Sequence, residues 1–287
     1  MGKFQMRELN LNKQMLNELM KSLSQTFEGV KTAKKILKRN EKIDTTQAAP
    51  VTDEFWADLR SYAKTVGINV IRFTAMDENF IFEEEMIGYH VKDGVLDNAI
   101  VLGMEMKKDA INQAPEPTAG NESMRVYAEL GNATNKLATY IQEHGFQAQA
   151  FHPFGGPILY PPMAEKAGMG EVGINGLLIT REFGPRLRLS IVTINAAPLP
   201  HLESVSFGIR AFCRTCGLCV KKCPTQAILP YDQKVKSING KYIRNIESEK
   251  CFPQFFKTHG CSICIKVCPF SQVGYEKVIA KIGPKMK

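Results

Sequence analysis

The chain has 287 residues, 44% of them hydrophobic, and a formal charge of +8, enough apolar material for one large globular domain or two ordinary ones. No run approaches the roughly 18 to 20 uninterrupted apolar residues of a membrane span, and the start, MGKFQMRELNLNKQ, lacks the apolar core of a secretory signal. The expectation is therefore a chain that is neither spanning nor secreted, with a cytoplasmic location.

The charge is uneven. Residues 1–42 hold ten Lys and Arg against four Glu, and residues 234–287 hold eleven against three acids. Basic ends suit an anionic cofactor, an acidic protein, a nucleic acid or simply water.

Within residues 9–30, Met15, Leu16, Leu19, Met20, Leu23, Phe27 and Val30 recur at helical spacing and predict an amphipathic helix packed on the body or on a second subunit. A basic run, KTAKKILKRNEK, follows, and TTQAAPVT (45–52) reads as a linker. DEFWADLRSYAKTVG predicts a helix that opens on acids and stops at Gly67, leading into the strand INVIRFT. NAIVLGMEM (98–106) predicts a buried strand, residues 122–144 a helix ending at Gly145, and RLRLSIVTI (186–194) a further strand. Helices alternating with buried strands indicate an α/β (α+β) layer architecture.

Within AEKAGMGEVGINGLLI (164–179), Gly168, Gly170 and Gly173 spell G-x-G-x-x-G. A dinucleotide fingerprint follows a strand and opens a helix, with an acid about 20 positions on. Here a helix begun by Pro161 and Pro162 precedes the glycines, a strand follows, and VTINA stands where the acid is needed. Nicotinamide binding is not expected. The glycines mark a sharp turn or a close approach to something large.

All eight cysteines lie between Cys213 and Cys268. CRTCGLCVKKCP carries the C-x2-C-x2-C-x3-C-P spacing of bacterial ferredoxins, in which three thiolates clasp one [4Fe-4S] cluster and the fourth serves the other. Structural zinc takes two C-x2-C pairs around a longer loop and fits this crowding poorly. The second run, CFPQFFKTHGCSICIKVCP, supplies Cys251, Cys261, Cys264 and Cys268. The crossed pattern assigns Cys213, Cys216, Cys219 and Cys268 to one cluster and Cys223, Cys251, Cys261 and Cys264 to the other. Lys221, Lys222, Lys257 and Lys266 would offset the cluster charge and dock an acidic flavodoxin or ferredoxin.

The order AEKAGMGEVGINGLLITREFGPRLRLSIVTINAAPLP, then GIRAFCRTCGLCVKKCPTQAI, then GCSICIKVCPFS resembles the shared core of epoxyqueuosine reductases and reductive dehalogenases, and FGPR and GIRAFC sit nearer the dehalogenase branch. The resemblance covers about residues 50–275. It implies a nitroreductase-like α/β corrinoid-binding domain followed by a ferredoxin-like double-cluster domain, with bounds here of 1–48 for a basic helical arm, 49–205 and 206–287. It also implies cobalamin as the acceptor of the electrons, held by Gly168, Gly170, Gly173, Asn175 and Gly176. FMN, common in nitroreductase-like domains, is the alternative.

Epoxyqueuosine reductases carry a catalytic Asp shortly before the glycines, and counting back from Ala164 puts Phe154 there. The chain ends 19 residues after Cys268, without the helical extension that holds tRNA, and starts without a twin-arginine signal. Neither tRNA chemistry nor a respiratory role is expected. Dehalogenases use a tyrosine helped by a basic residue as proton donor, which points to Tyr127 in the 122–144 helix. His152 is a second candidate, since an imidazole titrates near neutral pH, and Tyr160 a third. The expected function is an oxygen-sensitive iron-sulfur and corrinoid reductase that cleaves a small organic substrate, fed by a low-potential ferredoxin or flavodoxin. A homodimer is allowed, and the alternative is an electron carrier that reduces another protein or its corrinoid.

Overall fold

A computed structural model gives the fold and describes residues 12–45, 51–82, 94–200, 206–236, 243–258 and 260–281. Residues 9–11 of the first expected helix and most of the expected linker lie outside these. Among the described residues no helix is long and apolar enough to cross a membrane.

The chain opens with α1 (Lys13–Asn40), capped by Asn12, whose side chain accepts the Met15 amide. Next come α2 (Asp53–Thr65), β1 (Val70–Ala75), a 3-10 turn (Glu78–Phe80), β2 (Asn98–Glu105), α3 (Lys108–Ile111) and α4 (Pro117–Glu143). β3 (Ala148–Phe151), α5 (Tyr160–Lys166), the short β4 (Glu171–Val172) and β5 (Leu178–Ile179), and β6 (Leu187–Ile194) complete the first part. The helix and strand readings from sequence fall on these elements within a few residues.

Four strands form one sheet in the order β1-β2-β6-β3, and each neighbouring pair is antiparallel. The layers thus mix helix and sheet without a parallel β-α-β core. β2 is buried along Ala99, Ile100, Val101 and Leu102, so it reads as a continuous apolar run and not as an alternation. On β6, Arg188 and Ser190 face α4, where they meet Ser123 at 3.1 Å and Thr134 at 2.6 Å.

α1 lies parallel to α4. Asn121 donates to the Met15 carbonyl, Asn135 to that of Gly29 and Gln142 to that of Ile36, each across an offset of 106 residues. A constant offset means two helices running in step. The face of α1 turned to α4 consists of Leu19, Ser22, Thr26, Gly29, Ala33, Ile36 and Asn40, mostly small side chains that let the backbones approach. Of the large apolar residues of the sequence pattern, Leu19 alone is fully buried, while Leu16 is 37%, Met20 47% and Phe27 60% exposed.

The cysteine-bearing part consists of α6 (Ile209–Cys216), α7 (Leu218–Lys222), β7 (Val235–Lys236), β8 (Ile243–Arg244), α8 (Ser248–Lys257), α9 (Ile263–Lys266), α10 (Pro269–Gln272) and α11 (Tyr275–Ala280). It is seated firmly on the sheet. Arg186 donates to the Ser271 carbonyl at 2.9 Å and pairs with Glu105 at 3.0 Å. Lys266 donates to the Ala114 carbonyl at 2.7 Å. A Cβ on Gly184, whose φ is +57°, would lie 2.7 Å from the Phe270 backbone, so only glycine allows this approach.

Candidate functional site

The first thiol group is built by a helix that ends where it must. The Glu171 carboxylate accepts the amides of Phe207, Gly208 and Arg210 at 2.7 to 3.2 Å, which satisfies the start of α6. Cys213 and Cys216 follow on that helix, Gly217 breaks it at φ +58°, and Cys219 turns back. These three and Cys268 line one pocket together with Ile174, Asn175, Phe212 and Phe270. Cys268 belongs to the second run of the sequence and arrives here as the cap residue of α10.

The other four thiols are mutual electrostatic neighbours. Burial, then Cys223 and Cys261, push the Cys251 thiol up to about 11. Cys264 is raised by burial and then by Cys219, Cys261, Cys251 and Cys223. The link from Cys264 to Cys219 sets the two groups side by side. Burial likewise carries Cys213 to about 11 and Cys219 and Cys268 to about 12. Cys223 is the exception. Burial raises it, but the Thr225 hydroxyl and the amides of Thr225, Ala227 and Ile228 outweigh that and lower it.

Thiols this buried ionise only when a cation repays the desolvation. Among the described residues no group of three or more His, Cys, Asp or Glu side chains is arranged to hold a single metal ion. Four sulfurs ringing a void suit a cluster of several atoms instead.

The glycine segment is explained from within the chain. Gly168, at φ +68°, ends α5, its amide donating to the Glu165 carbonyl at 2.9 Å. A Cβ on Gly170 would stand 2.2 Å from the Ile179 carbonyl oxygen, and one on Gly173 would stand 2.6 Å from the Ile179 side chain. Gly173 and Gly176 close the β4–β5 turn through the Gly173 amide to Leu177 and the Gly176 amide to Gly173, each 2.9 Å. Asn175 is buried, and its side chain accepts the Leu177 amide at 3.3 Å. Gly168 thus ends the helix, Gly170 lets β4 approach β5, and Gly173, Asn175 and Gly176 shape the hairpin turn. The tip serves the thiols: the Ile174 amide donates to the Cys213 sulfur. Beside the hairpin lies a cleft edged by Gly173, Gly176, Arg210, Lys234 and Arg244, a lining that suits an anion.

Tyr127 lies on α4 with the Arg188 guanidinium 4.7 Å from its ring centre and Phe154 edge-on at 5.7 Å. Phe154 occupies the position of the missing acid. Arg188 was not singled out by the sequence, although two arginines at alternate positions of an otherwise apolar strand, RLRLS, place both on one face.

His152 is sealed. A Cβ on Gly29 would stand 3.1 Å from its ring and one on Gly131 1.9 Å. Its Nδ1 accepts the Phe154 amide at 3.1 Å, so the neutral ring carries its proton on Nε2, which is buried without a partner. Burial lowers its pKa to about 4, and a second proton on Nδ1 would face a donor. The sequence expectation of a proton donor near neutral pH does not suit this setting, in which His152 packs the crossing of α1 and α4. Tyr160, the third candidate, donates to the His152 carbonyl at 2.9 Å and holds that loop.

A pH effect follows from the lowered pKa. The unfolded chain binds the His152 proton below its ordinary value of 6.5 and the folded chain only below about 4. Stability from this group is therefore full above pH 6.5 and falls as pH drops toward 4, by on the order of 3 kcal/mol in all. Urea unfolding of wild type and His152→Asn across this range should show a steeper acid loss in wild type. Parallel curves would remove His152 from the account.

Comparison with known proteins places these features in company. Residues 212–271 match the family described as a 4Fe-4S double cluster binding domain, so the cysteine part is such a domain. The chain is 33% identical over 188 residues to a tetrachloroethene reductive dehalogenase of Desulfitobacterium hafniense, across 61% of this chain and 33% of that protein. It thus spans about a third of the length of this curated relative. A solved reductive dehalogenase described in connection with B12-dependent dehalogenation superposes with a TM-score of 0.70 at 18% identity, over 87% of this chain and 38% of the other. An epoxyqueuosine reductase from Streptococcus thermophilus gives 0.51 at 18%, over 75% and 66%. The fold is the one these proteins share, and it lies nearer the dehalogenase.

Proposed function

We propose that the chain is an iron-sulfur oxidoreductase of the reductive dehalogenase kind, with a nitroreductase-like body, acting on a small organic substrate. The observation that carries this is the pair of adjacent four-thiol groups drawn crosswise from the two cysteine runs inside a double-cluster domain. Cys213, Cys216, Cys219 and Cys268 would hold one [4Fe-4S] cluster and Cys223, Cys251, Cys261 and Cys264 the other. When bound, such a pair supplies a relay for single electrons.

The chain's own residues give the relay a direction. Phe252 and Phe256, each 53% exposed, lie beside Cys251 on α8 with Lys250 and Lys257, a surface suited to an acidic electron donor. The Cys213 group is bordered by the β4–β5 hairpin through Ile174, Asn175 and Ile179, and by Phe212 and Phe270. On α4, Tyr127 is the proton donor of this reading, with Arg188 stabilising the charge left when its hydroxyl gives up a proton. Phe154 keeps water and a competing carboxylate from that ring.

Cobalamin comes to this reading from the dehalogenase relatives and not from the glycine hairpin, and we assign it no residue. A second reading, an electron carrier for another protein's corrinoid, draws support from Phe154 standing where the resemblance calls for an acid.

One anaerobic experiment separates them. Protein reconstituted with iron and sulfide, mixed with hydroxocobalamin and desalted, should hold about eight irons and a corrinoid spectrum, and release halide from organohalides under a low-potential reductant. Tyr127→Phe should keep iron and corrinoid and lose turnover by about 100-fold or more. Full activity in that variant would remove Tyr127 as donor. Eight irons without corrinoid or halide release would select the carrier, and far fewer irons would end both readings.

A further inference from the structure

The face that α1 turns away from the body is the unexplained surface of this molecule. Leu16, Met20, Leu23, Phe27 and Val30 recur at alternating steps of four and three residues, the spacing by which one helix seats against another helix. Leu19, Ser22, Thr26, Gly29, Ala33 and Ile36 are already spent on α4. Single exposed apolar residues need no explanation, but a contiguous stripe on a long helix does. From Leu16 to Val30 it runs over about 21 Å of helix.

We infer that this stripe is the interface of an antiparallel homodimer, α1 of one chain lying along α1 of a second copy. Two observations select that occupant. First, the stripe is self-complementary about Leu23. Leu16 and Val30 are equally far from it on either side, and Met20 and Phe27 nearly so. A twofold axis at Leu23 sets Leu16 against Val30 of the second copy, Met20 against Phe27, and Leu23 against itself. An isologous contact requires this property.

Second, the charge on α1 is lopsided. Lys34, Lys35, Lys38 and Arg39 crowd its last third, whereas Lys31 is paired with Glu28 at 2.6 Å and Glu18 stands between Lys13 and Lys21 in the earlier part. A parallel pair stacks the two cationic segments on each other. An antiparallel pair with its axis at Leu23 separates them by most of the helix length. The stripe contains neither a cysteine nor Tyr127 nor Arg188, so the inference does not rest on the function proposed above.

Sedimentation of the full, cluster-loaded chain at micromolar concentration tests this. Wild type should run at twice the 32.1 kDa chain mass, and Phe27→Glu, a change at a side chain 60% exposed, should halve that mass with iron content and visible spectrum unchanged. A wild type at single-chain mass, or a dimer that survives Phe27→Glu, overturns the interface. Orientation is read separately with a short thiol crosslinker on loaded protein: Leu16→Cys and Val30→Cys should couple when mixed and neither alone. Coupling of each variant with itself would show a parallel pair and overturn the antiparallel assignment.

Discussion

Cys268→Ala is expected to lose about four of about eight irons, to abolish electron delivery, and to leave a residual signal that matches Cys216→Ala and differs from Cys264→Ala. Sequence position groups Cys268 with Cys261 and Cys264, four to seven residues away. Its sulfur nevertheless faces the cavity of Cys213, Cys216 and Cys219, with the Phe270 and Ser271 amides donating to it. The electron paramagnetic resonance spectrum of the reduced protein, read beside the iron count, decides between these groupings. A Cys268→Ala spectrum like that of Cys264→Ala would mean that each run holds its own cluster, and the crossed assignment would fail. Stability should fall as well, because Cys213 and Cys268 both belong to the small core with Ile174, Ile179, Ile209, Phe270 and Val278. Loss of a bound cluster removes the binding free energy that favours the folded form.

How much of this is legible in the sequence depends on how local the determinant is. Cysteine spacing is local, and the two runs are enough by themselves to announce a double-cluster domain. The strand runs at 98–106 and 186–194 are legible for the same reason, since burial on both faces removes the polar alternation. What stays hidden depends on distant partners. Periodicity marks α1 as amphipathic but does not tell which of its stripes meets the body, because that choice rests on Gly131 and the small residues of α4 more than 100 positions later. Alternating helices and strands suggest an α/β order, while the pairing of β6 between β2 and β3 is a long-range event. Gly184 and Glu171 lie inside motifs, FGPR and the glycine segment, whose spacing does not name their partners. One admits the Phe270 backbone and the other caps α6, and each is recognisable only once its partner is in place. Conversely, G-x-G-x-x-G does not say by itself which use of glycine it serves, since a turn and a phosphate loop ask the same freedom of glycine.

Gly131→Ala should show how tightly the crossing of α1 and α4 is specified. Intrinsic propensity favours the change by about 1 kcal/mol in a helix interior. Here the added Cβ would stand 1.9 Å from His152 Nε2 and 2.2 Å from Cδ2. The ring has nowhere to go, because Gly29 backs it, the Phe154 amide holds Nδ1, and Tyr160 holds the carbonyl of the same residue. Overpacking of this kind costs roughly 3 kcal/mol, which outweighs propensity and should lower the melting temperature by roughly 5 to 10 °C. Differential scanning of loaded protein gives the sign directly, and a rise would mean that the crossing is loose. Gly131→Ala combined with His152→Ala separates a steric clash from a general helix effect: if the clash is the cause, the double variant melts above the sum of the single losses. Tyr127 sits one helical turn before Gly131 on the same face of α4, so a helix displaced at this crossing also moves the tyrosine relative to Arg188 and Phe154. Gly131→Ala should therefore lower turnover in the fraction that remains folded, and the double variant should recover turnover along with stability.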